Sequence, residues 1–355
     1  MSIPYRYINH IWTATPGILV TNRSLLAEYE SALKRLPLDD PDFETLRDMV
    51  RYFLVGDRTR YGTPNFLELE AFAPRAHAYQ TQVETALDQL SEQILSAVSP
   101  SETRFDGVIA TTSTGHLMPG LSYRVAHRLK DRIKLGALLL DFGGVGCTGS
   151  IKALNLIRSL DSSLDNLLIV SVECPTTLIN LKSTDPGVWQ GNCTFGDGAA
   201  AVWVSLRPDR GDTALRIAEL RYAFQADSGL DLIHWGYEDY YTFNLADEKT
   251  FERKVLNVVY DALKDAEPTW REAPCWAIHP AGITLLLRLS RKLGLTREVL
   301  APSADHYRSH SNMSSASILH ILKTIATVVP DQTPINLLTM GAGFNVLYGQ
   351  VIKER

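Results

Sequence analysis

Cysteine is scarce: Cys147, Cys174, Cys193 and Cys275 are the four thiols in 355 residues. None forms a CxxC pair, and no histidine cluster has zinc spacing. A disulfide scaffold and a structural metal are therefore not expected. Long apolar runs are missing as well, since none approaches the roughly 18–20 residues of a membrane-spanning helix. No membrane partner is expected. The opening stretch MSIPYRYINHIW lacks a basic segment followed by an apolar one, so no secretory leader is read. Reduced thiols in a cytoplasmic setting are the expectation. Basic excess is absent too: 35 Lys and Arg against 40 Asp and Glu leave a net charge of −5. That argues against a nucleic-acid partner. Neither a Pro/Ser-rich linker nor a low-complexity segment interrupts the chain.

What is present is an ordinary globular composition, 45% hydrophobic and 21% charged. The length suggests about two domains or fused units. Helical periodicity runs through 24–36, 42–54 and 76–98. FDGVIATTST (105–114), GALLLDFGG (136–144) and DNLLIVSVEC (165–174) read as buried strands. SYRVAHRLK (122–130) and CTGSIKALNLIRSL (147–160) read as helices. The later part repeats this grammar, with strands at 199–206, 214–224 and 275–282 and a last strand at 335–344. Helices are expected at 251–266, 283–293 and 312–326. Strands alternating with helices imply an α/β fold whose sheets are covered on both faces. A polar turn, RPDRGDTA (207–214), marks a seam. Two similar halves, 1–210 and 211–355, suggest a fused duplication.

Four stretches carry chemistry. In GGVGCTGS (143–150) a Gly-rich strand end leads into a helix that Cys147 opens. A helix N-terminus favours a thiolate, and small neighbours free backbone N–H groups for an oxyanion. A packed structural cysteine explains this stretch alone equally well. WAIHPAG (276–282) delivers His279 out of a strand end, where α/β proteins bind ligands, although a lone histidine is more often a packing residue. Asn312, in SHSNMSSAS (309–317), reads alone as a helix cap. NCTFGDGAAAVWV (192–204) reads as a tight turn around Asp197 before a strand. The aromatic stretch HWGYEDYYTF (234–243) either lines a product tunnel or covers the core.

The chain order Cys…His…Asn, with TTSTGHLMPGLSY (111–123), GCTG, FGDGAAAV, HPAG, SNMSSAS and MGAGF (340–344), resembles the type III polyketide synthases. These are the chalcone-synthase-like enzymes of the thiolase superfamily. The resemblance covers about residue 45 to the C-terminus. It implies an α/β, thiolase-like five-layered αβαβα fold built from two duplicated halves. The half 1–210 would carry the nucleophile, and 211–355 the catalytic histidine and asparagine.

The resemblance also assigns residues. Cys147 would accept the acyl group, and His279 and Asn312 would complete a triad. A His279 imidazolium would lower the thiol pKa. Both donors would then face the enolate oxygen formed when a malonyl thioester loses carbon dioxide. Phe195 and Phe243 match two gatekeeper phenylalanines. Met118 matches a methionine that crosses a homodimer interface. Pro175 and Leu178 stand where plant members carry pocket-shaping threonines. Thr176, Leu178, Gly341, Ala342 and Gly343 are expected at the substrate pocket. Arg47 and Arg51 partly represent a CoA-contacting basic helix. No cofactor is expected beyond the CoA thioester substrates, acyl-CoA and malonyl-CoA. Three alternatives are a β-ketoacyl-ACP synthase III-like enzyme with an acyl-carrier-protein partner, a non-elongating acyltransferase, and a non-catalytic heterodimer subunit.

Overall fold

A computed structural model describes residues 5–99, 101, 103–209, 214–224, 230–237, 239–246, 248–264, 270 and 272–354. Helices α1 (Asn22–Leu33), α2 (Asp40–Phe53), α3 (Phe72–Ala97), α4 (Leu121–Arg128), α5 (Gly149–Ile157) and α6 (Pro186–Thr194) come first. Next come α7 (Glu248–Leu263), α8 (Ile283–Leu293), α9 (Arg297–His310) and α10 (Ser317–Val328). Thirteen strands accompany them among the described residues. They are β1 (Tyr7–Ala14), β2 (Ile18–Thr21), β3 (Thr59–Gly62), β4 (Phe105–Thr112), β5 (Ile133–Gly143), β6 (Leu167–Glu173) and β7 (Gly198–Ser205). The rest are β8 (Leu215–Phe224), β9 (Ile233–Tyr237), β10 (Tyr241–Leu245), β11 (Cys275–Ile278), β12 (Pro334–Gly341) and β13 (Asn345–Lys353).

Nine strands form one mixed sheet in the order β11-β12-β13-β8-β1-β7-β6-β4-β5. Its pairing sense repeats on either side of the β8–β1 junction. Outward from β8, the pairs are antiparallel, antiparallel and parallel. Outward from β1 they follow the same series, with a further parallel pair to β5. Hairpins β9–β10 and β2–β3 stand apart.

The apolar sequence explains the layering. Every residue of β6 and β7 is buried, as continuous apolar or small runs require when both sheet faces are covered. One cluster packs α3 residues Val83, Leu87 and Leu90 on Val108, Val170 and Ala201. A second places Ile151 and Leu154 of α5 and Ile318 and Leu322 of α10 between Ile169 and Leu337. A third seats Val255 and Val259 of α7 and Leu286 of α8 on Ile278 and Val346. The alternation is helix, sheet, helix, sheet, helix.

Several elements differ from expectation. The expected helix 147–160 begins as a 3-10 turn, Gly146–Thr148, and continues as the shorter α5. The strand at 335–344 ends at Gly341 and is not the last, since β13 returns beside it. Strand β1 was hidden by polar Asn9 and His10 within YINHIWTA. Helix α9 was hidden by an internal Pro302. Residues 210–213 of the seam, and the end of the helix expected to reach residue 266, lie outside the described residues.

Ile318, fully buried in the middle layer, is the position where truncation leaves an unrelieved cavity. Ile318→Ala should cost about 2–5 kcal/mol in urea unfolding. Val328→Ala, on the same helix but exposed, should stay within about 0.5 kcal/mol. Equal costs would contradict the layering.

Candidate active site

The site forms where two turns meet at the strand ends. The first carries Cys147. Gly146 takes φ +60°, a left-handed conformation that glycine adopts without a Cβ penalty. Its N–H donates to Ser113 Oγ at 2.8 Å, and the Thr339 hydroxyl donates to the Cys147 carbonyl at 3.1 Å. The second turn carries Asn312. It forms a bridge with Phe195: Asn312 N–H donates to Thr194 O at 3.2 Å, and Gly196 N–H to Asn312 O at 3.0 Å. Asn312 Oδ1 accepts the Ser314 N–H at 2.8 Å, which leaves the amide N–H groups for the cavity. The side chains of Ser314 and Asn312 lie beside Cys147 and favour its thiolate.

Two glycine contacts explain part of FGDG. A Cβ on Gly198 would overlap the Met313 sulfur, so the turn after Asn312 closes only on glycine. A Cβ on Gly196 would come within 2.7 Å of His310 O. Asp197 is buried and accepts from Thr176 N–H (2.9 Å), Thr176 Oγ1 (2.8 Å) and Thr63 Oγ1 (2.8 Å). Its role in this turn is structural, as expected. Arg60, also buried, donates to Phe195 O and Cys193 O, both at 2.9 Å.

His279 leaves the end of β11. Its N–H donates to Leu338 O at 2.8 Å, and the next β12 residue, Thr339, holds the Cys147 carbonyl. One strand therefore links the two residues. His279 is buried, and both ring nitrogens lack a hydrogen-bond partner among the described residues. Such orphaned donors are costly and call for an explanation. Burial pushes the imidazole pKa down to about 3 and the Cys147 thiol up to about 12. Both shifts run against the expected imidazolium and depressed thiol. Desolvation of the charged forms outweighs the influence of Ser314 and Asn312.

Glu173 was not singled out from the sequence. It ends β6, wholly buried, and accepts Ser113 N–H at 3.0 Å and Ser314 Oγ at 3.2 Å. Ser315 Oγ is a further donor. Burial pushes its carboxyl up to about 7, and its charge raises the Cys147 pKa. The available signal was one acid inside the apolar run LLIVSVEC.

A cavity of about 510 Å³ opens over Cys147 and Asn312. Phe195 and Phe243 both line it, their rings stacked with centroids 4.7 Å apart. Ala342 and Gly343 also line it. The β9–β10 hairpin supplies Ile233, His234, Trp235 and Tyr237, so the aromatic stretch lines the cavity; Glu238 lies outside the described residues. Thr176, Leu178, Gly341 and Met118 are not in this wall. Thr176 and Leu178 belong to a buried turn, Pro175–Leu178, with Thr176 engaged by Asp197. Gly341 packs on Thr148. Met118 stands on the surface, 93% exposed. Arg47 is paired with Glu44 and Asp48, and Arg51 with Glu30. A neighbouring pocket sharing Gln190, Thr194, Phe251 and Ala281 with the cavity is lined instead by Arg58. Arg58 lies over Tyr307, 4.7 Å from the ring centroid, with Nη1 buried and unpartnered.

The family described as chalcone and stilbene synthases, C-terminal domain, matches residues 242–344. The chain is 27% identical to a β-ketoacyl-[acyl-carrier-protein] synthase III of Neorickettsia sennetsu, over 72% of this chain and 78% of that one. It is 26% identical to an acylalkylpyrone synthase of Aspergillus oryzae, over 61% of this chain and 60% of the relative. It is also 26% identical to type III polyketide synthase B of Arabidopsis thaliana, over 61% and 57%. The matches span less than two thirds of both polyketide synthase relatives. In fold it superposes on the 1,3,6,8-tetrahydroxynaphthalene synthase of Streptomyces coelicolor with a TM-score of 0.83, at 19% identity, over 98% of this chain and 99% of that one. The type III polyketide synthase domain of Steely1 from Dictyostelium gives 0.82 at 16%, over 99% and 100%. The fold is thiolase-like. The matched domain, two of these relatives and the structural neighbours are type III polyketide synthases or parts of them, and these similarities support that reading of the chain.

Two substitutions test the electrostatics and packing of the site. Glu173→Gln removes a negative charge that raises the thiol pKa. The pH profile of Cys147 alkylation by iodoacetamide should therefore move to lower pH; an unmoved profile would disprove the coupling. Gly198→Ala should displace Met313 and lower turnover by roughly a hundredfold, the scale of a misplaced catalytic group, with little change in overall fold by circular dichroism.

Proposed function

We propose that Cys147 attacks a CoA-linked acyl starter, releases CoA thiol and holds the acyl group as a thioester. Malonyl-CoA then loses carbon dioxide, and its enolate carbon attacks that thioester and displaces the Cys147 sulfur. The product is a β-ketoacyl-CoA, available for further extension or cyclisation. His279 and the Asn312 amide would donate to the enolate oxygen, where charge develops. With both groups neutral at rest, the thiol proton would pass to His279 during attack on the starter. Phe195 and Phe243 would exclude water while carbon dioxide leaves.

The observation that carries this reading is the floor of the cavity. Cys147 and Asn312 lie side by side there, in a cavity that a stacked phenylalanine pair also lines. Arg58, rather than Arg47 or Arg51, is the proposed CoA contact. The repeated pairing sense of the sheet supports two halves, 1–210 and 211–355. The exposed Met118 suits a homodimer, and a cytoplasmic setting completes the proposal. Among the described residues, no helix is long and apolar enough to cross a membrane.

The test is to incubate the protein with malonyl-CoA and a panel of acyl-CoA starters and identify products by mass spectrometry. Cys147→Ala should abolish starter loading and extension. Asn312→Ala should slow carbon dioxide release on the order of 10²–10³-fold while starter loading persists. Extension by Cys147→Ala at the wild-type rate would refute the covalent route. The synthase III relative keeps a second reading in view, a single condensation with an acyl-carrier protein. Turnover that requires the carrier would favour it.

A further inference from the structure

Behind the Asn312 turn lies a group of histidines that the reaction does not use. His306 and His310, one helical turn apart on α9, stack with ring centroids 4.9 Å apart and planes at 10°. His320 of α10 lies 5.7 Å from His306 and 5.8 Å from His310. The stacking and the bonding point away from a metal site. His306 Nε2 is 3.1 Å from Ser317 Oγ, and His320 Nε2 is 2.9 Å from Ala199 O. No three ligating residues converge among the described residues.

The bond to Ser317 defines the tautomer of His306. Ser317 Oγ already accepts the Met313 N–H at 2.8 Å. Among the described residues, His306 Nε2 is the one acceptor that the Ser317 hydroxyl proton has. Neutral His306 therefore carries its proton on Nδ1 and accepts at Nε2. The chain of contacts runs from His306 through Ser317 to Met313, the residue that follows Asn312. Ser311, just before Asn312, has φ +59° and ψ −154°, a strained conformation for a residue with a Cβ. The turn therefore depends on its outside contacts to hold its shape.

We propose that neutral His306 is a positioning residue for Asn312: by accepting the Ser317 hydroxyl it fixes the Met313 turn, and protonation of the stack releases that turn and shuts off condensation at acid pH. A proton on Nε2 would put two donors on Ser317 Oγ and leave the hydroxyl hydrogen without an acceptor. The other titratable groups facing the stack are His279 from the end of β11, Lys323 on α10 and Tyr61 on β3, stacked on His310. His279 and Lys323 oppose a charge on the stack, and burial lowers all three histidines below their ordinary range. The neutral stack thus persists at neutral pH. As pH falls below about 6.5, the unfolded or opened chain binds protons that the packed form excludes, so the packed form loses stability.

This inference rests on Asn312 acting in condensation, so the test reads two steps separately. Carbon dioxide release from malonyl-CoA and starter loading on Cys147 are followed from about pH 8 to about pH 5, across the histidine range. In the wild type, release should fall on the acid side while loading persists. His306→Gln keeps an oxygen acceptor for Ser317 and does not titrate. It should retain the neutral rate and lose the acid limb. His306→Leu should lower kcat roughly tenfold or more at every pH with KM unchanged. Nuclear magnetic resonance of 13C-labelled histidine supplies a readout that needs no turnover: Ser317→Ala should shift the His306 resonance and its titration. An unchanged acid limb in His306→Gln, or a His306 signal indifferent to Ser317→Ala, overturns the proposal. Loaded enzyme that releases no carbon dioxide at any pH refutes the condensation reading instead, and the resonance experiment still decides the role of His306.

Discussion

The site depends on one docking event: the turn at residues 311–317 seating on the Phe195–Gly198 turn and on Glu173. Asn312 bridges to both sides of Phe195. Met313 packs against Gly198. Ser314 and Ser315 bond Glu173, and the Ser150 hydroxyl of α5 donates to Ser315 O at 2.7 Å. Polar groups this deep are tolerated only when nearly all are paired. His279 stands out because neither of its ring nitrogens has a partner among the described residues. A serine-rich turn suits the task, since each hydroxyl can both donate and accept in a small volume.

Burial also sets the chemistry. Desolvation disfavours a resting thiolate–imidazolium pair, raising the thiol pKa and lowering that of the imidazole. In the proposed reaction, charge would develop when a substrate oxygen takes the place of the missing partner of the His279 ring. Donors that wait unpaired require no rearrangement when charge appears, which is the advantage of a preorganised oxyanion site. Burial pushes the Glu173 carboxyl up to about 7, which lessens the negative charge it sets beside Cys147 near neutral pH. It does so without leaving Ser113 N–H or the two serines unsatisfied.

Much of this was legible in sequence. Continuous apolar runs located β4, β6 and β7, short turn motifs located Cys147 and Asn312, and the family resemblance pointed to the two phenylalanines that stack. The illegible parts have physical reasons. Strand β1 mixes Asn9 and His10 into its apolar pattern because those side chains bond Ser205 and Asp209 at the strand end. Glu173 looked like an ordinary strand residue, because its meaning lies in donors far along the chain. Thr176 and Leu178 lie near the site in sequence, but their turn faces Asp197 and the core. The charge state expected for Cys147 is opposed by desolvation in the 3-10 turn ahead of α5, where Thr148 is buried and Cys147 half-buried at the cavity.

The cavity wall divides along the same line between fixed and variable parts. Its floor is tied into the large sheet through β12 and the Asn312 turn. Its roof is the separate β9–β10 hairpin, whose Trp235 and Tyr241 pack on each other and on His116. Leu230 and Tyr237 line the cavity yet are 78% and 77% exposed, so they form its rim. A floor held by buried hydrogen bonds cannot change without losing the donors that the reaction needs. A roof held by aromatic contacts can change shape at little cost to the fold. On the proposed reaction, selection among starters would belong to the hairpin, and the bond-forming step to the floor.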